Sequence, residues 1–176
     1  STLKQQLKER RPTYRAAAEL VATVAKTLHY THQHGLVHRD IKPGNILIDS
    51  NGKPFVVDFG LALQVENVGR GPQHVGTPAY MSPEQARGLP VDARTDIWSL
   101  GVVLYEMVTR HAPFTGKTMS DVIVAVLSMH PPVLTSYGGD VPAELERIIT
   151  KALRKDADER YQSAKELLVD LKRLKR

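Results

Sequence analysis

The first long helical pattern lies between residues 13 and 34. Its apolar side chains recur every three or four residues, which is the spacing of one buried helix face: Ala17, Leu20, Val21, Val24, Ala25 and Leu28. Gly35 follows directly and is typical of the residue that ends a helix. The pattern therefore predicts a helix over residues 13–34 with one face in the core.

Three short segments after this helix have the composition of strands, and they read LVH, NILID and PFVVD. Asn51 and Gly52 stand between the last two segments, and this dipeptide is a strong signal for a tight β-turn. Residues 45–57 are therefore predicted to form a β-hairpin. The next stretch, residues 60–83, contains four glycines and three prolines and shows no lasting periodicity. A loop of this length inside a domain is usually functional.

Four more helical patterns fill the C-terminal half of the chain. The first, ARTDIWSLGVVLYEMVTR, is apolar nearly all round and indicates a buried helix. The other three are amphipathic and read SDVIVAVLSM, PAELERIITKAL and SAKELLVDLKRLK. Ser163 and Glu166 have the spacing of a capping box at the start of the last one. The expected fold is mainly α with a small β-hairpin.

Composition narrows the possible functions. The chain has 176 residues, 41% of them hydrophobic, which is enough for one domain with a real core. The absence of cysteine excludes disulfides, thiolate metal sites and a cysteine nucleophile. The polar N-terminus predicts no secretory signal, and the longest apolar stretch, residues 97–108, is too short to span a bilayer. We therefore expect a cytoplasmic domain, which segments outside the sequence could tether to a membrane.

Basic and histidine residues offer weaker signals. The net charge is +5, and the basic end LKRLKR lacks the interleaved aromatic residues of single-strand binders, so nucleic-acid binding is a minor alternative. His29, His32 and His34 cluster in sequence, but His32 and His34 fall on different faces of a helix. We expect them to be solvated surface residues and not metal ligands.

The candidate chemistry lies in residues 38–58. Asp40 and Asn45 stand between two strand segments, and the hairpin can fold Asp58 back beside Asn45. A carboxylate and an amide oxygen then face the same point, which suits a hard cation such as Mg²⁺. Asp40 is free to accept a proton, and Lys42 supplies a point charge for a phosphate oxygen.

The motifs HRDIKPGN, DFG and GTPAYMSPE, in this order, resemble the catalytic core of eukaryotic-type serine/threonine protein kinases, most closely the bacterial members. The resemblance covers about residues 1–174 and implies that residues 1–176 are the C-terminal lobe of such a domain. Its implied parts are a helix at 13–34, a catalytic loop and hairpin at 36–58, an activation and peptide-positioning loop at 58–84, and a helical subdomain at 92–174.

The resemblance implies a role for each matched residue. Asp40 would accept the proton of the substrate hydroxyl, and Lys42 would contact the transferring phosphoryl group of ATP. Asn45 and Asp58 would hold Mg²⁺ ions and so bind the nucleotide. Leu47 would form the floor of the adenine pocket. Gly76 would help to position the peptide, and Thr77 would do so while bonding towards Asp40 and Lys42.

Further matched residues would have structural roles. His38 would pack on Phe59, and Gly60 completes the same motif. Arg39 would be the cation that receives a loop phosphate in many relatives, although residues 61–75 contain no Ser, Thr or Tyr. Two buried contacts are also implied, one an ion pair between Glu84 and Arg160, the other a bond from Asp96 to the backbone near His38 and Arg39.

Two departures shape the expected activity. No G-x-G-x-x-G motif occurs in the sequence, and nothing before residue 13 is apolar enough for the family's N-terminal lobe. We therefore expect a fragment or a natural truncation that is inactive until an N-terminal lobe joins it, and whose uncovered face near Leu47 and Phe59 favours self-association. A kinase-like docking or regulatory module without catalysis is the alternative. In members of the family that prefer basic substrates, an acidic residue at the position of Gly44 recognises an arginine of the substrate. Gly44 has no side chain, so no strong preference for basic substrates is expected.

Overall fold

The computed structural model describes residues 1–59, 62–64 and 77–174. The helices in these ranges are α1 (Leu3–Glu9), α2 (Tyr14–Gln33), α3 (Pro83–Ala86), α4 (Ala93–Thr109), α5 (Met119–Ser128), α6 (Ala143–Ala152) and α7 (Ala164–Arg173). The strands are β1 (Leu36–Val37), β2 (Ile46–Ile48), β3 (Pro54–Val56) and β4 (Leu63–Gln64). The prediction of a mainly α fold with a small β-hairpin is confirmed.

Helix α4 lies at the centre of the core. Its side chains are buried on nearly all sides, as its apolar sequence predicts, and α2, α6 and α7 pack against it. Each fully buried large apolar side chain stabilises the fold by roughly 1.5–3 kcal/mol. A helix with many such side chains is therefore a stable base for the loops attached to it. No helix in the described ranges, α4 included, has the length and hydrophobicity needed to cross a bilayer.

The predicted hairpin is formed by β2 and β3. Leu47 pairs with Phe55 in antiparallel register, and the carboxylate of Asp49 accepts the amide N–H groups of Asn51 and Lys53 at the turn. Ile46 is buried, whereas Leu47 and Phe55 are exposed by 40% and 45%. The hairpin therefore presents one face to the core and a small apolar face to the outside.

Among the α-helices and strands of the described residues, α1, β4 and α3 were not predicted. Helix α1 begins with a capping box between Thr2 and Gln5 and buries Leu3. Strand β4, inside the predicted long loop, pairs with β1 over two residues, and α3 begins at the last residue of that loop, Pro83. These elements are too short to produce a periodic signal in the sequence.

The predicted capping box at the start of α7 is only half formed. The Ser163 hydroxyl accepts the amide N–H of Glu166, as expected. The Glu166 carboxylate instead accepts the amide N–H of Gln162, one residue before the cap. The carboxylate of Glu166 therefore reaches back one residue further than in the predicted capping box.

Candidate active site

Asp96 on α4 fixes the backbone of the loop that carries the candidate catalytic residues. Its side chain is fully buried, and its two carboxylate oxygens accept the amide N–H groups of His38 and Arg39 at 2.8 Å each. A buried carboxylate needs such donors, because an unpaired charge in the interior is very costly. The contact that the sequence predicted for Asp96 is present in the structure.

Arg39 adopts an uncommon backbone conformation at this point. Its φ angle is +72°, in the left-handed region that L-residues seldom occupy. The Asp96 contact and a hydrogen bond from Gln85 Nε2 to the Arg39 carbonyl at 2.9 Å hold the loop in this shape. Burial lowers the pKa of the Arg39 guanidinium, and the negative charge of Asp96 opposes that effect.

Asp40, Lys42, Asn45 and Thr77 form one hydrogen-bonded cluster. Lys42 Nζ lies 3.2 Å from Asp40 Oδ2 and donates to Thr77 Oγ1 at 2.8 Å. The Asn45 amide group donates to the same Asp40 oxygen at 3.0 Å and to the Asp40 carbonyl at 2.8 Å. Within the described residues, Asp40 Oδ1 is buried and has no hydrogen-bond partner. One carboxylate oxygen is therefore held in place, and the other is available to accept a proton.

Asn45 and Asp58 are brought together by the hairpin. The Val57 amide N–H donates to the Asn45 carbonyl at 3.0 Å, and Asp58 is the next residue. Asp58 is exposed and has a φ angle of +63°. Because the N–H groups of Asn45 are directed to Asp40, its side-chain oxygen remains as an acceptor, and the pair offers the oxygen ligands that Mg²⁺ prefers. The donor set therefore fits this metal.

His38 connects the loop that carries Asp40 to the end of the hairpin. Its Nδ1 accepts the amide N–H of Asp40 at 3.2 Å, so Nε2 carries the proton that is donated to the Val57 carbonyl at 2.9 Å. Its ring meets Phe59 edge-on, with the centroids 4.6 Å apart. Gly60 and Gly76, which the sequence also singled out, lie outside the described residues.

Glu84 and Arg160 form a bidentate ion pair between α3 and the segment before α7. The two N···O distances are 2.6 and 2.7 Å, and the Arg160 side chain is fully buried. Burial alone would raise the pKa of Glu84, but the hydrogen bonds and charge of Arg160 outweigh burial and lower this pKa. The other N–H groups of Arg160 donate to three backbone carbonyls, those of Arg94, Arg154 and Lys155. The guanidinium is thus fully satisfied.

The prediction that His32 is a solvated surface residue is wrong. Its side chain is 8% exposed, and Nε2 lies 2.7 Å from Asp96 Oδ2, the same carboxylate that holds the catalytic loop. His34 is exposed, as expected, and its Nδ1 lies 2.8 Å from the Tyr30 carbonyl. His32 stands four residues after buried Leu28, so the helical periodicity already contained the signal that places it on the buried face.

Comparisons with known proteins identify the family of this chain. The family model of the protein kinase domain matches residues 1–170. The chain is 42% identical over 164 residues to serine/threonine-protein kinase PknB of Mycolicibacterium smegmatis and 39% identical over 166 residues to PknB of Mycobacterium tuberculosis. It is also 41% identical over 180 residues to a probable serine/threonine-protein kinase of Clostridium perfringens.

These alignments cover 91%, 92% and 99% of this chain, respectively. In each case the chain spans 26% of the length of the relative. The family model covers nearly the whole chain, and the relatives are similar in sequence over most of it. This chain belongs to the protein kinase family and is similar to its bacterial serine/threonine members.

Proposed function

We propose that this chain is the C-terminal lobe of a serine/threonine protein kinase, which transfers the γ-phosphoryl group of Mg-ATP to Ser or Thr hydroxyls of protein substrates. The observation that carries the proposal is the cluster of Asp40, Lys42, Asn45 and Thr77, with one Asp40 oxygen held and the other unpaired among the described residues. This is the arrangement that a proton acceptor beside a phosphoryl-transfer site requires.

Asp40 would orient the substrate hydroxyl and take its proton through Oδ1. Lys42 lies between Asp40 and Thr77 and would place its positive charge on the oxygens of the transferring group. Thr77 would hold the Lys42 ammonium at this position and begin the segment along which the peptide lies. Positioning and electrostatics account for most of the catalysis in phosphoryl transfer, so the fixed geometry of these three residues is the chemical contribution of the lobe.

Asn45 and Asp58 would hold Mg²⁺ through their side-chain oxygens. When bound, the metal would neutralise charge on the phosphate oxygens of ATP. The exposed apolar side chain of Leu47, which faces outward from β2, would form the floor under the adenine ring. ATP is a cytoplasmic metabolite, so the proposal places this lobe in the cytoplasm.

The proposal includes a second lobe as partner. A Gly-rich loop and a strand lysine contact the ATP phosphates in protein kinases, and the sequence of this chain has no G-x-G-x-x-G motif. We expect the chain alone to be inactive and to gain activity when an N-terminal lobe covers Leu47. The domain divisions at 13–34, 36–58, 58–84 and 92–174 belong to the same proposal.

The second candidate is a docking or regulatory module without catalysis. The exposed pair of Leu47 and Phe55 supports binding of another protein surface at the hairpin. The hydrogen-bonded cluster around Asp40 favours catalysis, because a docking surface has no need of an unpaired buried carboxylate oxygen.

The deciding experiment measures transfer of labelled γ-phosphate from Mg-ATP to a generic Ser/Thr protein substrate. The chain is tested alone and joined to the N-terminal lobe of a PknB relative, each beside its Asp58→Asn variant. Transfer only by the joined protein, and loss of transfer in the variant, supports the proposal. Absence of transfer in both forms, with the joined protein folded, would favour the docking module. Transfer by the chain alone would refute the need for a second lobe.

A further inference from the structure

Helix α5 has an unusual attachment to the rest of the lobe. Only Ala125 and Val126 of its ten residues are buried, although Val122, Ile123 and Leu127 are partly buried against the core. The helix lies against the 3-10 helix Pro78–Tyr80, which belongs to the predicted peptide-positioning loop, and against α3, which begins at the end of that loop. The position of α5 therefore bears directly on the surface where a protein substrate would lie.

Lys155, in the segment between α6 and α7, holds the C-terminal end of α5. Its Nζ donates to the Val126 carbonyl at 2.6 Å and lies 3.4 Å from the Ala125 carbonyl. The last carbonyls of a helix carry partial negative charge and lack a full set of helical partners. A lysine ammonium placed there satisfies these carbonyls and favours the helix in this position.

The ammonium group is held by dipoles and rings and not by an ion pair. Phe114 and Trp98 lie 4.0 and 5.0 Å from Nζ at their ring centroids, and within the described ranges no carboxylate pairs with it. Burial lowers the pKa of Lys155 to about 8, and the nearby charges of Arg160 and Arg87 act in the same direction. The charge is therefore costly unless the carbonyls of α5 are in place to receive it.

The same short segment also holds α3. Arg160 donates through Nη2 to the Lys155 carbonyl at 3.0 Å, and its guanidinium pairs with Glu84. The Arg160 guanidinium carbon lies 5.1 Å from the centroid of the Trp98 ring, which Lys155 also contacts. Lys155 and Arg160 therefore lie around the same indole ring. Lys155 binds the end of α5 through its carbonyls, and Arg160 binds α3 through Glu84.

We propose that Lys155 is a positioning residue for protein substrates: it holds α5 against the end of the peptide-positioning loop and so sets the affinity for the protein substrate. The proposal rests on the kinase function proposed above. The described contacts of the Lys155 ammonium are with Ala125, Val126, Trp98 and Phe114, and not with the cluster around Asp40. Its removal is therefore expected to weaken protein binding and to leave ATP binding and the transfer step unchanged.

The test uses Lys155→Met, which keeps the apolar stem and removes the donors, and Lys155→Arg, which restores a cation with donors. Lys165→Met is the matched control, because Lys165 is exposed on α7. In the chain joined to an N-terminal lobe, Lys155→Met is expected to raise KM for the protein substrate about tenfold, the effect of losing a hydrogen bond to a charged group. KM for ATP and kcat stay within about twofold of wild type, and Lys155→Arg and Lys165→Met behave as wild type.

Hydrogen exchange on this chain gives a second readout that needs no activity. The amides at the end of α5, around residues 125–129, are expected to exchange faster in Lys155→Met than in the other two variants. Unchanged exchange there, or equal increases of both KM values, would overturn the proposal. If wild type transfers no phosphate, the proposed function fails, and faster exchange in Lys155→Met would still support the attachment of α5 while refuting its link to a substrate.

Discussion

His32 Nε2 lies 2.7 Å from Asp96 Oδ2, and that carboxylate is completely buried while it accepts the amide N–H groups of His38 and Arg39. Helix α2 is thereby connected through one side chain of α4 to the loop that carries Asp40, where Arg39 has its left-handed backbone conformation. Three donors on one buried carboxylate make the group both well satisfied and sensitive to the loss of any one donor.

Replacing His32 tests this dependence. His32→Ala removes one donor from a buried charge and is expected to lower the free energy of unfolding by about 1–3 kcal/mol. His32→Gln can still donate to Asp96 and is expected to lose less. Urea unfolding of the two variants provides the measurement. His34→Ala is the comparison, since His34 lies at the same helix end but is exposed, as is its hydrogen bond to the Tyr30 carbonyl, and it is expected to lose less than about 1 kcal/mol. Equal small losses at His32 and His34 would contradict the connection.

The sequence predicts the long elements of this fold well and its short ones poorly. Helix α2 and the hairpin are predictable because apolar periodicity and the Asn51-Gly52 turn act over many residues. Helix α1 packs against the 3-10 helix Pro43–Asn45 and β2, burying Leu3 and partly burying Leu7. Two apolar residues in a polar segment are too few for a recognisable period. Such elements are stabilised by tertiary contacts that a local pattern does not contain.

Some residues of the candidate site can likewise be predicted from the sequence, and others cannot. The ordered motifs predict Asp40, Asn45 and Asp58 as neighbours, because these residues lie close in sequence around one hairpin. In the structure Asn45 bonds to Asp40 and, through its carbonyl, to Val57, the residue before Asp58. Lys155 is not predictable in this way, since its acceptors are backbone carbonyls about thirty residues away on α5 and its rings come from other segments. A lysine whose partners are carbonyls and aromatic rings leaves no charge pattern in the sequence.

The ion pair between Glu84 and Arg160 is expected to contribute strongly to stability when broken from one side. Glu84→Gln leaves the buried guanidinium without its counter-charge, and the expected loss is about 3–5 kcal/mol of unfolding free energy. Thermal and urea unfolding measure this loss. The exposed pair of Arg15 and Glu19 provides the comparison, and Glu19→Gln is expected to change stability by less than about 1 kcal/mol. Similar losses for both pairs would show that burial does not govern their contributions.

The Lys42–Thr77 hydrogen bond gives a prediction on activity. Thr77→Ala removes the oxygen that holds Lys42 Nζ at 2.8 Å and is expected to lower kcat at least about tenfold, as the loss of a hydrogen bond to a charged group. Thr77→Ser keeps the oxygen and is expected to retain most of the activity. Phosphate transfer by the chain joined to an N-terminal lobe measures both. A Thr77→Ser variant as impaired as Thr77→Ala would show that the methyl group, and not the hydroxyl, is required.

Gly101 of α4 packs directly against the end of α6 and the residue that follows it. A Cβ atom at this position would lie 2.8 Å from Ala152 Cβ and 3.2 Å from Leu153 Cδ2. Gly101→Ala is therefore expected to destabilise the lobe by about 1–3 kcal/mol through overpacking. Gly44→Ala is the matched control, because a Cβ there meets no heavy atom within 4 Å. Urea midpoints that move equally in both variants would contradict the packing argument.

The effect of the Lys155 charge on stability can be measured at alkaline pH. Its pKa is lowered to about 8 in the folded lobe from an ordinary value of 10.5, chiefly by burial. Between these two values the unfolded chain binds a proton that the folded chain does not, so the free energy of unfolding gains a contribution that rises with pH through this window. Burial raises the pKa values of Tyr80, Tyr105 and Tyr161, which lowers stability above about pH 10 in wild type and variants alike.

The measurement is therefore a difference between proteins. Unfolding free energies of wild type and Lys155→Met are compared at intervals from pH 7 to pH 10, where the tyrosines make nearly the same contribution to both. Wild type is expected to gain unfolding free energy relative to the variant as pH rises from about 8. The reason is that the buried ammonium of Lys155 loses its proton there, and the variant has no such group. Lys165→Met should follow wild type across the range. A constant difference between wild type and Lys155→Met would mean that the carbonyls of Ala125 and Val126 and the two aromatic rings fully offset the burial of the charge.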